Sequence, residues 1–354
     1  MRQSNFELLR IVSMFAILLS HILIHGFKEI DNFNQTDNYI WHQLINSFLM
    51  IHVNLFLLIS GYWGIKLKWS SFYNLLKKCF FYSVLIYLVW ALYNGNAISL
   101  HDILVRASFI YKKNPWWFVY VYIQLCALSP VLNIVINNIS QKQYIKILCL
   151  LLFFNCIIGG LLKSDFNPNG FTVHHFILMY FIGGYLRRYD VFQSLSFKKL
   201  LVMYGITSLI TFCIGQMSIR LWSGYVNPFV IMGAVFVFVV FKRIKVQSRM
   251  INRIAASAFS VYLIHDEDTI MRSLMSNIGN VIYSYTDCFF VYFPILIIIA
   301  LAIFVMSVLL DKVSDWLLRP FTFIGTWKID SWLSGKIKAH QHSSVDKNVK
   351  LYHD

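Results

Sequence analysis

The sequence predicts an all-α integral membrane protein with about ten transmembrane helices in one bundle and both termini in the cytoplasm. Of its 354 residues, 58% are hydrophobic and only 13% are charged, and the mean hydropathy is +0.61. Soluble domains are about 45 to 50% apolar and about 25% charged, so the surplus apolar surface needs lipid around it. Ten spans of roughly 20 residues leave no room for a sizeable soluble domain. A cytosolic enzyme, a secreted disulfide scaffold and a disordered regulator are therefore excluded.

Ten apolar runs mark the predicted helices. Each is expected to be helical, because an isolated strand in hydrocarbon would leave its backbone groups unpaired. The sixth and ninth runs are short and carry polar residues, so we expect neighbouring helices to shield them from lipid. The runs cover residues 7–27, 41–64, 76–93, 116–137, 144–163, 173–188, 199–218, 225–242, 255–272 and 289–311.

The N-terminal run is predicted to be a membrane span, and the C-terminal segment is predicted to lie on the cytoplasmic side of the membrane. The first run is too long for a cleavable signal peptide and lacks a small-x-small cleavage site, so we expect it to stay in the protein. Residues 1–312 are expected to form one membrane domain. Beyond them, aromatic side chains are mixed with Lys and Asp, which is typical of a helix in the membrane interface followed by a mobile end. Residues 313–354 are therefore predicted to be cytoplasmic.

The basic residues set the predicted orientation. A formal net charge of +15 would suggest nucleic-acid binding in a soluble chain. In membrane proteins Lys and Arg collect in cytoplasmic loops, and a cytoplasmic N terminus places nearly all of them there. Arg106, Lys112 and Lys113 are the exceptions. We therefore expect a multi-pass protein of a cell membrane with no nucleic-acid partner.

Arg10 and His21 in the first run are the sharpest candidates for chemistry, because polar residues inside a membrane are costly. Eleven steps of about 100° return to the same helix face, and the two side chains are separated by about 16 Å along the axis. A long ligand can therefore touch both, with charged groups at Arg10 and a reactive end at His21. The alternative is that Arg10 follows the positive-inside rule and His21 packs against a neighbouring helix.

Several motifs in order resemble those of the acyltransferase type-3 family, the multi-spanning membrane O-acyltransferases of bacterial surface polysaccharides. The resemblance covers about residues 5 to 310. It departs from the family pattern at Lys77-Lys78, where many relatives carry Arg-x-x-Arg, so the charge is kept without the bidentate geometry. The matching blocks are Arg10-x10-His21, residues 53–62 ending in Ser60-Gly61-Tyr62, Trp116-Trp117-Phe118 through Pro130, Phe181 to Tyr185, and Tyr262-Leu263-Ile264-His265.

This resemblance implies transfer of an acyl group, usually acetyl, from coenzyme A on the cytoplasmic side to a sugar hydroxyl at or beyond the membrane. The enzyme would then use acetyl-CoA or another acyl-CoA as donor substrate and hold no resident cofactor. We expect His21 to act as the base, since the ordinary pKa of imidazole lies near working pH. Arg10 is expected to bind the donor, as are Lys77 and Lys78 by their charge.

Five further residues are candidates for substrate contacts. Ser60 or Asn54 can supply polar hydrogens to a developing oxyanion, with helix packing as the alternative for both. Trp117 can stack on a sugar ring or anchor a helix at the interface. His265 pairs best with Asp268 at i, i+3, because adjacent residues on a helix do not face each other. The alternative for this pair is a structural helix end.

The sequence thus favours a membrane O-acyltransferase, most simply an O-acetyltransferase, in the plasma membrane of a bacterium. Its acceptor is expected to be a surface polysaccharide or its lipid-linked precursor. The main alternative is a transporter or flippase of a lipid-linked sugar, in which intramembrane charges would line a path. No C-x-x-C pair occurs among the six cysteines, and we predict no metal site. The oligomeric state is left open.

Overall fold

The computed structural model describes residues 3–107, 116–217, 224–266 and 270–322. Within these ranges the chain forms helices joined by turns and short connections and contains no strand, as predicted. The helices within these ranges are α1 (Ser4–His25), α2 (Asp37–Leu49), α3 (His52–Trp63), α4 (Trp69–Tyr93), α5 (Leu100–Ala107), α6 (Trp117–Asn138), α7 (Gln141–Leu152), α8 (Val173–Arg188), α9 (Phe197–Gln216), α10 (Pro228–Arg243), α11 (Arg249–Ala255), α12 (Ala258–His265), α13 (Met271–Tyr285) and α14 (Phe289–Leu317). A π-helical stretch, Phe153–Leu161, continues α7.

Seven segments of the described chain are long and apolar enough to cross a membrane. In two of them a pair of consecutive elements forms one segment: α2 with α3, and α7 with its π-helical continuation. Several apolar helices of this kind make the protein a multi-pass membrane protein. The segments are Ser4–His25, Asp37–Trp63, Trp69–Tyr93, Trp117–Asn138, Gln141–Leu161, Phe197–Gln216 and Phe289–Leu317.

The other three predicted runs form shorter helices. α8 and α10 have 16 residues each, which gives them a length of about 24 Å, less than the roughly 30 Å of a hydrocarbon core. Both are largely buried among their neighbours. The run 255–272, predicted as one helix, is interrupted after His265, where the sequence continues with three consecutive acidic residues. Ionisable side chains at successive positions cannot all be sheltered on one helix face, which accounts for the break.

Close contact between α3 and α8 builds the centre of the bundle. A Cβ atom on Gly61 would lie 2.1 Å from the carbonyl oxygen of Tyr180, and one on Gly183 would lie 2.4 Å from that of Leu58. Only glycine allows the two backbones to approach so closely, as is common where membrane helices cross. The Gly61 and Gly183 positions of the sequence blocks are therefore packing positions, and they fix α3 in place.

Helix α1 lies between two hydrophobic cores. Its first turns, with Phe6 and Leu9, pack in the core built by α3, α8 and α10. Its later turns, from Met14 onward, pack in the core that includes α12 and α14. The face of α1 that lies between the two cores is covered by neither of them, so it can line a cleft.

The end of the described chain extends α14 past the predicted domain limit. The helix has 29 residues and continues through Asp311 to Leu317, so its length of about 43 Å exceeds a hydrocarbon core of about 30 Å. Residues 323–354, which contain most of the predicted interfacial helix and tail, lie outside the described residues.

Candidate active site

A cleft of about 390 Å³ follows one face of α1. Glu7, Arg10, Met14, Ile17 and His21 line it at intervals of three and four residues, which is the spacing of a single helical face. Arg10 lies toward one end of this row and His21 ends it. The two residues singled out in the sequence therefore line the same cavity.

The opposite walls of the cleft come from five other parts of the fold. They mix aromatic and aliphatic groups with hydroxyl, amide and imidazole groups, as is usual for a ligand cavity. The lining residues are His52, Val53, Phe56 and Ser60 of α3, Asn74, Leu75 and Lys78 of α4, Trp117, Phe118 and Tyr122 of α6, Tyr225, and Ala255, Ala256, Ala258, Phe259 and Tyr262 around α11 and α12.

Glu7 holds the guanidinium of Arg10. Their side chains form an ion pair of 2.6 Å between Nη1 of Arg10 and Oε1 of Glu7. The Glu7 side chain is only 7% exposed, whereas that of Arg10 is 35% exposed. The Glu7 carboxylate is therefore fixed in the protein, whereas the Arg10 guanidinium reaches the mouth of the cleft. Sequence reasoning missed Glu7, although an acid three residues before Arg10 on the same helical face is a visible signal.

His21 lies beside a buried carboxylate. Its Nδ1 atom is 3.4 Å from Oδ1 of Asp266, a distance typical of an ion pair, although the two groups are not aligned as a hydrogen bond. The Asp266 side chain is 3% exposed, and Nη2 of Arg272 lies 3.3 Å from the same oxygen. Asp266 therefore stands between a guanidinium and the imidazole of His21, where it can stabilise an imidazolium.

Two more imidazoles surround His21. The His25 ring lies 5.6 Å from the His21 ring and the His265 ring 5.2 Å, measured between centroids. Nδ1 of His265 is 2.6 Å from the carbonyl oxygen of Val261. A carbonyl can only accept, so Nδ1 of His265 carries the proton and donates it. In neutral His265 the buried Nε2 is then a bare acceptor, and no described residue bonds to it.

The sequence places Asp266 and Asp268 in one cluster with His265. Of the two, it favours Asp268 as the partner, because adjacent side chains on a helix diverge. Asp266 instead terminates α12 with φ −95° and ψ 23°, and this change of direction lets its carboxylate reach α1. Asp268 lies outside the described residues, so its pairing with His265 stays a prediction.

Ser60 and Trp117 line the cleft, but Asn54 is not among its lining residues. Ser60 donates to the carbonyl oxygen of Phe56 at 2.9 Å and lies 3.4 Å from the hydroxyl of Tyr122. Trp117 stacks on Tyr225, with centroids 6.0 Å apart.

Asn54 forms the interhelical amide bond that was the alternative to a role in the site. It is fully buried. Its Oδ1 bonds to Nε2 of His175 at 2.7 Å, and its Nδ2 donates to the carbonyl oxygen of Tyr225 at 3.3 Å. Both ends of the amide are therefore engaged within the protein, and Asn54 fixes α8 and Tyr225 against α3.

Lys78 lines the cleft, whereas Lys77 is not among the lining residues. The ammonium of Lys78 lies 2.7 Å from Oδ1 of Asp311 and 3.2 Å from Oδ1 of Asp315. Asp311 is fully buried and also accepts a hydrogen bond of 2.5 Å from Ser260. Two carboxylates thus compensate the charge of Lys78, which leaves Arg10 as the better placed cation for an anionic ligand.

The described residues contain no cluster of three or more His, Cys, Asp or Glu side chains arranged to hold a metal ion. The groups that converge at His21 are instead suited to moving a proton. An imidazole beside a buried carboxylate can accept a proton and return it. At the other end of the cleft, a guanidinium can hold an anion at the protein surface.

One of three comparisons with known proteins finds a match. A family model described as an acyltransferase domain matches residues 3–311. No curated protein and no solved structure matches the chain. The match begins before Arg10, ends at Asp311 and contains every cleft-lining residue. The chain is a membrane acyltransferase, and it belongs to the acyltransferase type-3 family.

Proposed function

We propose that the protein transfers an acyl group, most simply acetyl, from an acyl-CoA to a hydroxyl of a cell-surface polysaccharide or its lipid-linked precursor. The observation that carries the proposal is that Arg10 and His21 line one cleft along α1. Coenzyme A has phosphates at one end and a thioester at the other, joined by a long and largely uncharged arm. A cleft with a cation toward one end and a base at the other is complementary to that shape.

The donor would lie with its phosphates at Arg10, at the mouth of the cleft. A guanidinium forms oriented, charge-assisted hydrogen bonds to phosphate oxygens. The uncharged arm would follow Met14 and Ile17 along α1, which contribute apolar surface. This places the thioester carbonyl near His21. Lys77 and Lys78 would add long-range attraction for the donor, although Lys78 is already paired with Asp311.

His21 would act first as a base and then as an acid. It takes the proton of the sugar hydroxyl as the hydroxyl oxygen attacks the thioester carbonyl carbon. The tetrahedral intermediate then collapses, its carbon–sulfur bond breaks, and the departing thiolate receives the proton from the His21 imidazolium. Asp266, 3.4 Å from Nδ1 of His21, would stabilise that imidazolium. Transient acylation of His21 followed by transfer to the sugar uses the same groups.

The hydroxyls of Ser60 and Tyr122 are 3.4 Å apart, and both line the cleft. They lie toward its Arg10 end, since Phe6 at the start of α1 packs on Tyr62 and Trp63, which follow Ser60 on α3. Ser60 and Tyr122 would therefore contact the donor rather than the oxyanion beside His21. Trp117 and its partner Tyr225 offer aromatic faces in the same cleft for a sugar ring. His265, 5.2 Å from the His21 ring, would add a second proton acceptor beside the reacting hydroxyl.

The proposed topology has ten spans with both termini in the cytoplasm of a bacterium. Seven segments are long enough on their own, and we assign the remaining three spans to α8, α10 and the run 255–272 that contains α12, which are shielded by the longer helices. This orientation places most basic residues inside. It also places Arg10 toward the cytoplasm, where acyl-CoA is made, and the His25 end of α1 toward the acceptor.

The test measures O-acyl groups on the surface glycan by mass spectrometry in cells that carry wild type, His21→Ala or Arg10→Ala. Matched controls are His101→Ala and Arg249→Ala, which remove exposed residues outside the cleft. We expect loss of O-acylation in both cleft variants and normal levels in both controls, at equal membrane abundance. Unchanged O-acyl content in the cleft variants would refute the assignment. Loss of polymer export with normal acylation would favour the transporter.

A further inference from the structure

A second cavity, of about 710 Å³, lies at the His25 end of α1. We call it the loop pocket, because the segment between α1 and α2 forms most of it. None of its lining residues lines the cleft. They are Leu23, Ile24 and Phe27 at the end of α1, Lys28 to Asn34 of the connecting segment, and Tyr39, His42, Gln43 and Asn46 of α2.

The lining of the loop pocket combines polar and apolar groups in about equal measure. It presents the amide side chains of Asn32, Asn34, Gln43 and Asn46 beside the aromatic rings of Phe33 and Tyr39. The side-chain oxygens of Asn32 and Asn46 already accept hydrogen bonds within the protein, whereas no described residue bonds to the side-chain amide of Gln43. Amides both donate and accept, so they match neutral hydroxyl and acetamido groups. Amides beside aromatic rings suit an oligosaccharide, since its rings have polar edges and apolar faces.

The charge of the loop pocket narrows the class of ligand. Its charged residues are Lys28, Glu29 and Asp31, so the acids outnumber the bases by one. Glu29 is bound by the hydroxyl of Ser276 at 2.8 Å, which fixes one of the two acids in place. Uronic acids and phosphates would meet net repulsion here, whereas neutral sugars and amino sugars would not.

The loop pocket is linked to the catalytic end of the cleft. Ser20, the neighbour of His21 in the chain, donates a hydrogen bond of 2.5 Å to Oδ1 of Asn46. Leu23, Ile24 and Phe27 follow His21 within two helical turns, about 10 Å along the axis. A glycan that lies in the pocket can therefore extend over the end of α1 to His21.

We infer that the loop pocket binds the part of the acceptor next to the reacting sugar, and that it takes an uncharged or amine-bearing oligosaccharide. The inference rests on the proposed function and on its orientation of α1. It separates two tasks: the cleft holds the acyl donor, and the loop pocket selects the glycan. Asp31 sets the preference for charge, and Gln43 supplies hydrogen bonds to the sugar.

The experiment uses the full-length protein in lipid nanodiscs and three soluble probes: chitopentaose, the pentamer of glucosamine and the pentamer of galacturonic acid. Calorimetry gives the Kd of each probe for wild type, Gln43→Ala and Asp31→Lys. The controls are Gln216→Ala, an exposed glutamine at the end of α9 outside the pocket lining, and Asp165→Lys, an exposed acid elsewhere. Acyl transfer from acetyl-CoA to each probe is measured in parallel in the same proteins and in His21→Ala.

We expect wild type to bind the neutral and cationic pentamers more tightly than the anionic one. Gln43→Ala should weaken binding of chitopentaose about two- to tenfold, as the loss of one or two hydrogen bonds implies. Asp31→Lys should shift preference toward the anionic pentamer by about threefold or more, as expected for an exposed charge pair. Both controls should behave as wild type.

The inference would be overturned if none of the three probes binds, if Gln43→Ala and Gln216→Ala have equal effects, or if wild type prefers the anionic pentamer. The parallel assay separates this failure from failure of the proposed function. If acyl transfer requires His21 but is unchanged in Gln43→Ala, the proposed function stands and the role of the loop pocket is refuted. If Gln43→Ala weakens binding but no transfer depends on His21, the loop pocket stands and the proposed function is refuted.

Discussion

The Asp266→Asn substitution tests whether a buried carboxylate activates His21. Asparagine keeps the shape of the side chain and removes its charge. At 3.4 Å from Nδ1 of His21, the carboxylate would stabilise an imidazolium by at most about 5 kcal/mol at an effective dielectric constant near 20. Arg272 lies 3.3 Å from the same oxygen, and its positive charge offsets part of the attraction between Asp266 and the imidazolium. We therefore expect a loss of about 2 to 3 kcal/mol, or about 30- to 150-fold in kcat.

The assay for Asp266→Asn measures release of free CoA thiol at saturating acceptor, in purified protein. KM for acyl-CoA should stay within about twofold of wild type, because the donor phosphates would bind at Arg10, about 16 Å along α1 from His21. Asp165→Asn, an exposed acid outside the cleft, is the control. A kcat equal to that of wild type, with thermal stability unchanged, would refute a role for the carboxylate in the reaction.

Three further substitutions probe the cleft and the helix packing beside it. Glu7→Gln should lower KM for acyl-CoA about two- to fivefold in initial-rate assays, since the acid no longer competes for the guanidinium; a higher KM would contradict this. Lys78→Met should destabilise the protein by about 3 kcal/mol in thermal unfolding, and adding Asp311→Leu should restore most of it; equal stability of both variants would argue against a buried pair. Gly61→Ala should abolish folded protein in size-exclusion profiles, because its Cβ would lie 2.1 Å from a carbonyl oxygen of α8, whereas Gly205→Ala meets nothing within 4 Å and should be tolerated.

Features that depend on local periodicity were predictable from the sequence. Arg10 and His21 share a face because both lie on one unbroken helix, and the repeat of that helix fixes their directions. The positions of the longer helices follow in the same way from the hydropathy of continuous runs. Such predictions need no knowledge of which helices are neighbours.

Features that depend on how helices end and pack were not predictable. Asp266 reaches His21 only because α12 stops at His265. The acidic run accounts for the stop, but no local pattern shows that the carboxylate of Asp266 then reaches α1. Asn54 was a candidate for the site because buried amides are costly, yet its partner His175 comes from α8. The α8 and α10 helices have apolar sequences, but their lengths reflect burial among neighbours rather than the thickness of a bilayer.

Charge compensation explains how the cleft tolerates its cations and what the donor must do on entry. Arg10, Lys78 and Arg272 are each paired with a buried carboxylate, from Glu7, Asp311 and Asp266 respectively. In a medium of low dielectric constant an unpaired charge would be costly, so these pairs stabilise the cations in and beside the cleft.

To bind a cation of the cleft, the proposed anionic donor must therefore replace the carboxylate that is paired with that cation. Asp311 is fully buried, and the Lys78 side chain bound to it is only 19% exposed, so separating that pair would leave a bare carboxylate inside the protein. Arg10 is 35% exposed, so water and the donor phosphates can replace Glu7 as its partners at lower cost. The donor phosphates should consequently bind at the Arg10 end of α1, which leaves the thioester to approach His21.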